Sequence, residues 1–193
     1  MKGKEPTVIR FLLGHKQEEL NIFKISQGLK MDYKNVHAII KRLEKASLVK
    51  IETFGQSNRV KLNAVVHPLV FEAEFERRKH ILRNKDIAVM LSSLKRAIKS
   101  KLYVLLLFGS YAKGTQTKSS DIDVMVICPD GREDAFEKDI SGTARSLPLP
   151  LHPLVFSESQ FLEMAHAKEP NVGQEALKNN VVLYGIEQYY GMI

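Results

Sequence analysis

One stretch of the chain, LYVLLLFGSYAKGTQTKSSDIDVMVI at residues 102–127, constrains the fold more than any other. Residues 102–108 are an unbroken run of seven apolar residues, which is typical of a strand buried on both faces. Gly109 and Ser110 end this run, and residues 111–114 begin a short helix or turn. Residues 121–127 follow as a second, mostly apolar strand. The stretch therefore predicts two strands of one sheet, joined by a glycine-containing segment.

Two aspartates interrupt the second strand. Asp121 and Asp123 are two residues apart, so they share one face of the strand while Ile122 points to the core. Adjacent carboxylates repel each other unless a cation or a proton lies between them. Mg²⁺ prefers such oxygen ligands and leaves coordination positions for substrate phosphates. The Gly-Ser turn adds backbone N–H groups and a hydroxyl that suit a phosphate. The alternative is a pair of aspartates that only cap or solvate the strand.

The order of these residues resembles the signature of the nucleotidyltransferase superfamily that includes DNA polymerase β, and within it the minimal nucleotidyltransferases. The resemblance covers about residues 86–193, including NNVVLYG at 179–185. It implies a short mixed sheet, Mg²⁺ and a nucleoside triphosphate whose α-phosphate is attacked in line. The metal ligands that it implies are Asp121 and Asp123, and the nucleotide-binding residues are Gly109, Ser110, Lys113 and Ser120.

The chain departs from that signature at the third acidic residue, which active members usually carry on a later strand. Residues 147–157 contain no Asp or Glu, and His152 is the best match for the position that faces the site. His152 is open to three interpretations: a metal ligand, a base, or a plain strand residue before Pro153. We assign Asp121, Asp123 and His152 as the candidate catalytic residues, with Glu158 as the next candidate, and the sequence leaves turnover undecided.

Positive charge is concentrated at the start of the chain. Residues 1–80 contain 16 Lys and Arg against 9 Asp and Glu, whereas residues 81–193 contain 13 of each. A basic part joined to a neutral one suggests that the first part meets a polyanion. The alternative is solvated lysines on helix faces.

The first 66 residues have the element order of a winged helix-turn-helix. Apolar spacing predicts helices at 5–14, 20–29 and 32–45, with Asp32 as an N-cap, followed by strands at 48–53 and 59–62 around the turn FGQSN. This order resembles the MarR-like proteins, in which residues 32–45 would be the recognition helix and 54–61 the wing. The resemblance implies duplex DNA as a partner, contacted by Tyr33, Lys34, Asn35, His37, Lys41, Arg59 and Lys61. A protein-binding or dimerisation module is the alternative.

We therefore expect an α+β or α/β chain in three parts. Residues 1–66 form a winged helix DNA-binding domain, residues 67–85 a helical connector that Pro68 opens, and residues 86–193 a nucleotidyltransferase-like domain with a short mixed sheet. The charged stretch FEAEFERRKHILRNK is expected to be solvated. Helix is expected almost throughout residues 64–100.

The leading functional interpretation is a DNA-binding protein whose second domain binds Mg²⁺ and a nucleoside triphosphate and transfers a nucleotidyl group to a protein or a small molecule. One alternative is a transcriptional regulator whose transferase domain has lapsed and only senses nucleotide. Another is an antitoxin-like protein that acts on a helical toxin partner. A homodimer is expected, since winged helix proteins commonly dimerise. The acceptor, the base and the DNA sequence stay open.

Two further features bear on location. Cys128 is the one cysteine, so no intrachain disulfide can form, which fits a reducing cytoplasm. The longest apolar run is far shorter than the roughly 20 residues that span a bilayer. We expect a cytoplasmic protein that does not enter membranes.

Overall fold

The computed structural model describes residues 3–55, 57–144, 147 and 149–193, and the chain divides into two compact units, Met1–Glu76 and Arg77–Ile193. The first unit contains α1 (Glu5–Gly14), α2 (Ile22–Leu29), α3 (Tyr33–Lys45), β1 (Val49–Phe54) and β2 (Ser57–Leu62), and α4 (Pro68–Ile81) runs across the division. The second unit contains α5 (Lys85–Ala97), β3 (Val104–Leu107), α6 (Gly109–Lys113), β4 (Ile122–Cys128), α7 (Glu133–Ala144), β5 (Leu151–Ser157), α8 (Glu158–His166), α9 (Val172–Lys178), β6 (Val181–Tyr184) and α10 (Ile186–Met192). The fold is mixed α+β with two small sheets. The three-part division at 66 and 85 stays a prediction.

Side-chain caps fix the starts of α2 and α3. The Asn21 side chain accepts a hydrogen bond from the Lys24 N–H at 2.8 Å, and the Asp32 side chain accepts one from the Asn35 N–H at 3.2 Å. The predicted N-cap at Asp32 is therefore confirmed. The predicted apolar stripe of α3 is buried as well, over Val36, Ile39, Ile40 and Leu43.

The hairpin after α3 is longer than its sequence pattern indicates. β1 and β2 pair antiparallel from Val49 opposite Leu62 to Phe54 opposite Ser57. The ladder therefore extends into the segment that the sequence predicts as the turn. Gln56, which belongs to the predicted turn and to the predicted wing, lies outside the described residues.

Gly28 has a different role from the one its sequence position suggests. The sequence places the end of α2 near Gly28, but the helix continues to Leu29 and closes at Lys30, whose φ of 51° is left-handed. Gly28 instead lies against Phe11 of α1, where a Cβ atom would overlap the aromatic ring. The glycine therefore permits the close approach of two helices.

The region between residues 64 and 100 is mostly helical, as expected, and Pro68 begins its first helix. It contains two helices, because α4 ends at Ile81 and Asn84 caps a new helix by accepting hydrogen bonds from the Asp86 and Ile87 N–H groups at 2.9 and 3.3 Å. The charged stretch is not simply solvated. Glu74 is fully buried, and Arg78 donates to the Leu183 carbonyl oxygen of β6 at 3.2 Å.

The sheet of the second unit has the strand order β5-β4-β3-β6. β3 pairs antiparallel with both neighbours, and β4 and β5 are parallel, so the sheet is mixed as expected. All four residues of β3 are buried, which confirms the prediction of a strand covered on both faces. Side chains of α5 and α7 pack on one face, where they meet Ile122, Val124 and Val126 of β4.

Strand ends differ from the sequence pattern by one or two residues. Leu102 is 65% exposed and lies outside β3, and Asp121 precedes β4 rather than belonging to it. β5 is an edge strand, which is a usual place for a proline such as Pro153, because a missing N–H on the open side of the strand removes no ladder hydrogen bond. Among the described residues no helix has the length and apolar character that a membrane crossing requires.

Cys128 at the end of β4 is fully buried, and burial is the main cause that raises the pKa of its thiol to about 11. We expect the folded chain at pH 8 to react with a thiol reagent such as DTNB about 100-fold or more slowly than the unfolded chain. In the folded chain the reagent cannot reach the sulfur, and the raised pKa keeps the thiol protonated. Absorbance stopped-flow with and without guanidinium measures this. Equal rates in the two conditions would contradict the buried position.

Candidate active site

The segment between β3 and β4 begins with a sharp change of backbone direction at Gly109. Phe108 is extended and donates its N–H to the Asp123 carbonyl oxygen at 3.1 Å, which continues the pairing of β3 with β4. Gly109 then adopts a left-handed φ of 66°, and Gly114 ends the short helix α6 with a φ of 72°. Tyr111 anchors α6 in the core. Ser110 is half-buried at the first turn of α6.

The carboxylate of Asp123 occupies the space beside Gly109. A Cβ atom on Gly109 would overlap Oδ2 of Asp123 and would lie 3.2 Å from its Cβ. The absence of a side chain at Gly109 is what allows the Asp123 carboxylate to approach the backbone there. Gly109 of the Gly-Ser pair and Asp123 of the Asp-x-Asp pair are therefore neighbours in space.

His152 is the neighbour of Asp123 across the parallel pair β4 and β5. Its Nδ1 lies 3.2 Å from Oδ1 of Asp123, and the two side chains are 61% and 27% exposed. The structure thus places His152 beside Asp123. Glu158 is the first residue of α8, after the cap at Ser157, and it is exposed.

Asp121 is the more open of the two aspartates. It is exposed and precedes β4, whereas Ile122 is buried beside it. Over the described residues, no group of three or more His, Cys, Asp and Glu side chains is arranged to hold a metal ion. The protein donors available to a cation are therefore fewer than a complete protein cage requires. A carboxylate pair still fits Mg²⁺, which typically keeps water and takes substrate phosphates as its other ligands.

The remaining predicted nucleotide contacts have partners within the unit. Lys113 forms an ion pair with Glu175 of α9. Ser120 closes a small turn, in which its Oγ accepts a hydrogen bond from the Thr117 N–H at 2.9 Å. Sequence reasoning missed Glu175 because no local pattern marks a carboxylate on a distant helix as the partner of Lys113.

The predicted DNA contacts of the first unit fall into two groups. On α3 the side chains of Tyr33, Lys34, Asn35, His37 and Lys41 are all exposed. On β2, Lys61 lies 3.5 Å from a carboxylate oxygen of Glu52, and Arg59 is only 23% exposed and lies 3.7 Å from one of Glu19. The exposed predicted contacts are thus the five residues of α3 together with Lys61 of β2, and only Arg59 is largely covered.

Known proteins resemble the second unit. Residues 91–179 match the family model described as a nucleotidyltransferase domain. This stretch is called the nucleotidyltransferase domain after the family that it matches. The match spans β3 to α9 and includes every candidate residue from Gly109 to His152.

The chain also resembles a curated protein over a short stretch. The chain is 37% identical over 43 residues to a protein of Methanocaldococcus jannaschii named "Putative protein adenylyltransferase". The aligned region is 22% of this chain and 43% of that relative, so the chain spans less than half of the relative's length. No solved structure matches the chain.

The two left-handed glycines of the site provide a matched pair of substitutions. Gly109→Ala and Gly114→Ala both place a Cβ in a left-handed conformation, at a cost of about 1–2 kcal/mol in the free energy of unfolding. Only the Cβ added at position 109 would meet Asp123, whereas Gly114 has open space around it. We expect both variants to lose similar stability in urea unfolding, and Gly109→Ala alone to weaken ATP binding in calorimetry with Mg²⁺, by about tenfold or more. Equal ATP affinities of the two variants would argue against a site at Gly109 and Asp123.

Proposed function

We propose that the nucleotidyltransferase domain transfers the AMP group of ATP to a hydroxyl group of an acceptor, with pyrophosphate as the leaving group. The observation that carries the proposal is the Asp123 carboxylate against the backbone of Gly109. This contact joins the residues suited to a triphosphate with the residues suited to a cation. A protein acceptor is favoured by the name of the M. jannaschii relative. A small-molecule acceptor is the other outcome of the test.

Asp121 and Asp123 would hold Mg²⁺ together with oxygens of the triphosphate. The donor set supports this assignment, because carboxylates are hard oxygen ligands and the phosphates complete the coordination. The cation would neutralise charge on the phosphates during the displacement. The nucleotide side of the site would be formed by Gly109 and Ser110.

The protein's own residues would orient the reacting groups. The acceptor oxygen bonds to the α-phosphorus as the bond to the bridging oxygen of pyrophosphate breaks, and the hydroxyl proton must leave. His152 is suited to accept that proton or to hold Asp123 in position, because its ring nitrogen lies 3.2 Å from the Asp123 carboxylate. Lys113 would exchange Glu175 for a phosphate, since the ion pair is exposed enough to open.

Transfer is tested with the full chain, [α-³²P]ATP, Mg²⁺ and a cell extract, by gel and thin-layer detection of labelled acceptors. We expect Asp123→Asn to reduce labelling about 100-fold or more, which corresponds to about 2.7 kcal/mol of transition-state stabilisation. Removal of Mg²⁺ with EDTA should have the same effect. Labelling that survives both Asp121→Asn and Asp123→Asn would refute the proposed site.

His152 distinguishes an active enzyme from a nucleotide sensor. If the wild-type chain labels an acceptor rapidly and His152→Ala abolishes labelling, histidine replaces the third carboxylate. If the wild-type chain binds ATP without transfer and His152→Asp introduces transfer, the regulator with a lapsed transferase site is favoured. His166→Ala, at an exposed histidine of α8, is the matched control and should change neither property.

A second candidate function, binding of duplex DNA by the first unit, is supported by the surface of α3. Its predicted contact residues are all exposed, while its opposite face is buried in the core. Residues 1–66 contain 13 Lys and Arg against 6 Asp and Glu. A helix fits the major groove of B-DNA, with residues of its N-terminal half at base edges. We therefore propose α3 as the recognition helix, with Lys61 of the hairpin on phosphates.

DNA affinity should fall steeply with salt, because each neutralised phosphate releases counterions. Binding is measured by fluorescence anisotropy with a duplex of about 30 bp, roughly three helical turns. We expect Lys61→Gln to weaken binding to all sequences. It should also reduce the slope of log affinity against log salt concentration by about 1. Asn35→Ala should reduce sequence preference instead. Lys138→Gln, at an exposed lysine of α7, is the control. Affinity that does not change with salt would exclude phosphate-driven binding.

A further inference from the structure

A groove of about 670 Å³ lies in the second unit, between the start of α7, strand β5 and helix α8. β5 is the last strand in the order β5-β4-β3-β6, so one of its edges is not paired within the sheet. Val155 and Phe156 both line the groove, although successive side chains of a strand point to opposite faces. The groove therefore extends around the open edge of β5, with α7 and α8 as its two walls.

β5 presents backbone groups to this groove. The Ile122 N–H of β4 donates to the Pro150 carbonyl oxygen at 2.9 Å, and backbone groups alternate between the two sides of a strand. Leu151, Pro153 and Val155 therefore direct their backbone groups to the open side. Pro153 has no N–H, but Val155 has both a donor and an acceptor, and no backbone hydrogen bond to Val155 from outside the sheet is present among the described residues. An added strand can pair at Val155.

The walls of the groove are acidic. Glu133, Asp134 and Glu137 of α7 and Glu163 of α8 contribute to the lining, and none of these carboxylates forms an ion pair with a described residue. Within the described lining there is no Lys, Arg or His, and the neighbouring Arg132 is outside it. The whole chain has a net charge of +7, so this groove is a local exception. Its charge is complementary to a cationic partner.

The arrangement of the carboxylates favours a cationic chain over a single cation. They belong to two helices, and over the described residues they do not form a group of three or more that could hold a metal ion. A segment with several lysines or arginines can contact both walls at once. The apolar part of the lining, formed by the half-buried Val155, Phe156 and Met164, suits the apolar stems of such side chains.

We propose that the groove binds an extended segment of the acceptor protein, rich in lysine or arginine, as a strand added to β5. This inference rests on the transfer to a protein acceptor proposed above. His152 lies on the same strand, three residues before Val155, which corresponds to about 10 Å. A segment along β5 therefore extends from the groove to the candidate site, and its reacting hydroxyl lies about three residues from a basic residue. The groove selects the acceptor that the site modifies.

Binding is tested with the full chain and a fluorescein-labelled peptide of about eight residues, in which lysine alternates with valine or threonine. Two further peptides carry glutamate or serine in place of lysine. In fluorescence anisotropy without ATP, we expect the lysine peptide to bind about tenfold or more tightly than the other two. This preference is diagnostic, because the positive net charge of the chain by itself favours the glutamate peptide.

Substitutions then locate the binding. Glu137→Gln and Glu163→Gln, one on each wall, should each weaken binding of the lysine peptide about threefold, and the double variant about tenfold. Glu187→Gln, at an exposed carboxylate of α10 outside the groove, is the matched control and should leave binding unchanged. Val155→Pro removes an N–H on the open side and should weaken binding about tenfold. If Val155→Pro does not fold, the double variant decides.

The position of the acceptor is tested by labelling with [α-³²P]ATP and Mg²⁺. Two lysine peptides carry one tyrosine, about three residues before or after a lysine, because an added strand can run in either direction. We expect one of the two to be labelled about tenfold or more faster than its version with serine in place of lysine.

Four results would overturn the proposal. The first is equal affinity of the chain for the lysine, glutamate and serine peptides. The second is equal affinity of the wild-type chain and the double variant for the lysine peptide. The third is a dimer, detected by sedimentation, that pairs β5 with β5 and excludes the peptide. The fourth is labelling of proteins in a cell extract without labelling of either tyrosine peptide.

These results are distinct from failure of the proposed function. Peptide binding without labelling of any peptide or extract protein would refute the proposed transfer, and with it the acceptor role of the groove. Labelling of extract proteins without binding of the lysine peptide would refute the groove alone.

Discussion

The contact between the Gly109 backbone and the Asp123 carboxylate is the constraint on which the candidate site depends. It exists because β3 and β4 pair antiparallel. The pairing continues past the end of β3, where the Phe108 N–H donates to the Asp123 carbonyl oxygen, and Gly109 follows directly. The approach requires glycine on one side, since any Cβ would occupy the position of the carboxylate. A separate, parallel pairing places β4 beside β5 and brings His152 next to Asp123. Two strand registers therefore bring together the Gly109 backbone, Asp123 and His152.

The elements with a strong local signal could be predicted from the sequence. The Asp32 cap, the apolar stripe of α3 and the buried strand β3 depend on residues that are near one another in the chain, and all three are confirmed. The resemblance assigned His152 to the candidate site, but its contact with Asp123 was not predicted. It depends on the parallel register of two strands that α7 separates, and register is a tertiary property.

The features that the sequence did not indicate all involve distant partners. Gly28 is a residue type that is common at helix ends, yet its role is set by the Phe11 ring on another helix. The charged stretch at the end of α4 is typical of a solvated segment, but Arg78 donates to a backbone carbonyl more than a hundred residues away in the chain. Charge on a side chain therefore does not establish exposure. The carbonyl groups of β6 supply acceptors that no pattern in residues 64–100 reveals.

The cations predicted to meet phosphates illustrate the same point with a functional consequence. Lys41, Lys61 and Lys113 each lie near a carboxylate of the chain, namely Glu44, Glu52 and Glu175. Such exposed pairs contribute only about 0.2–1 kcal/mol, whereas a phosphate in a ligand offers more charge and more acceptor oxygens. These pairs hold the lysines near their proposed ligands without preventing exchange.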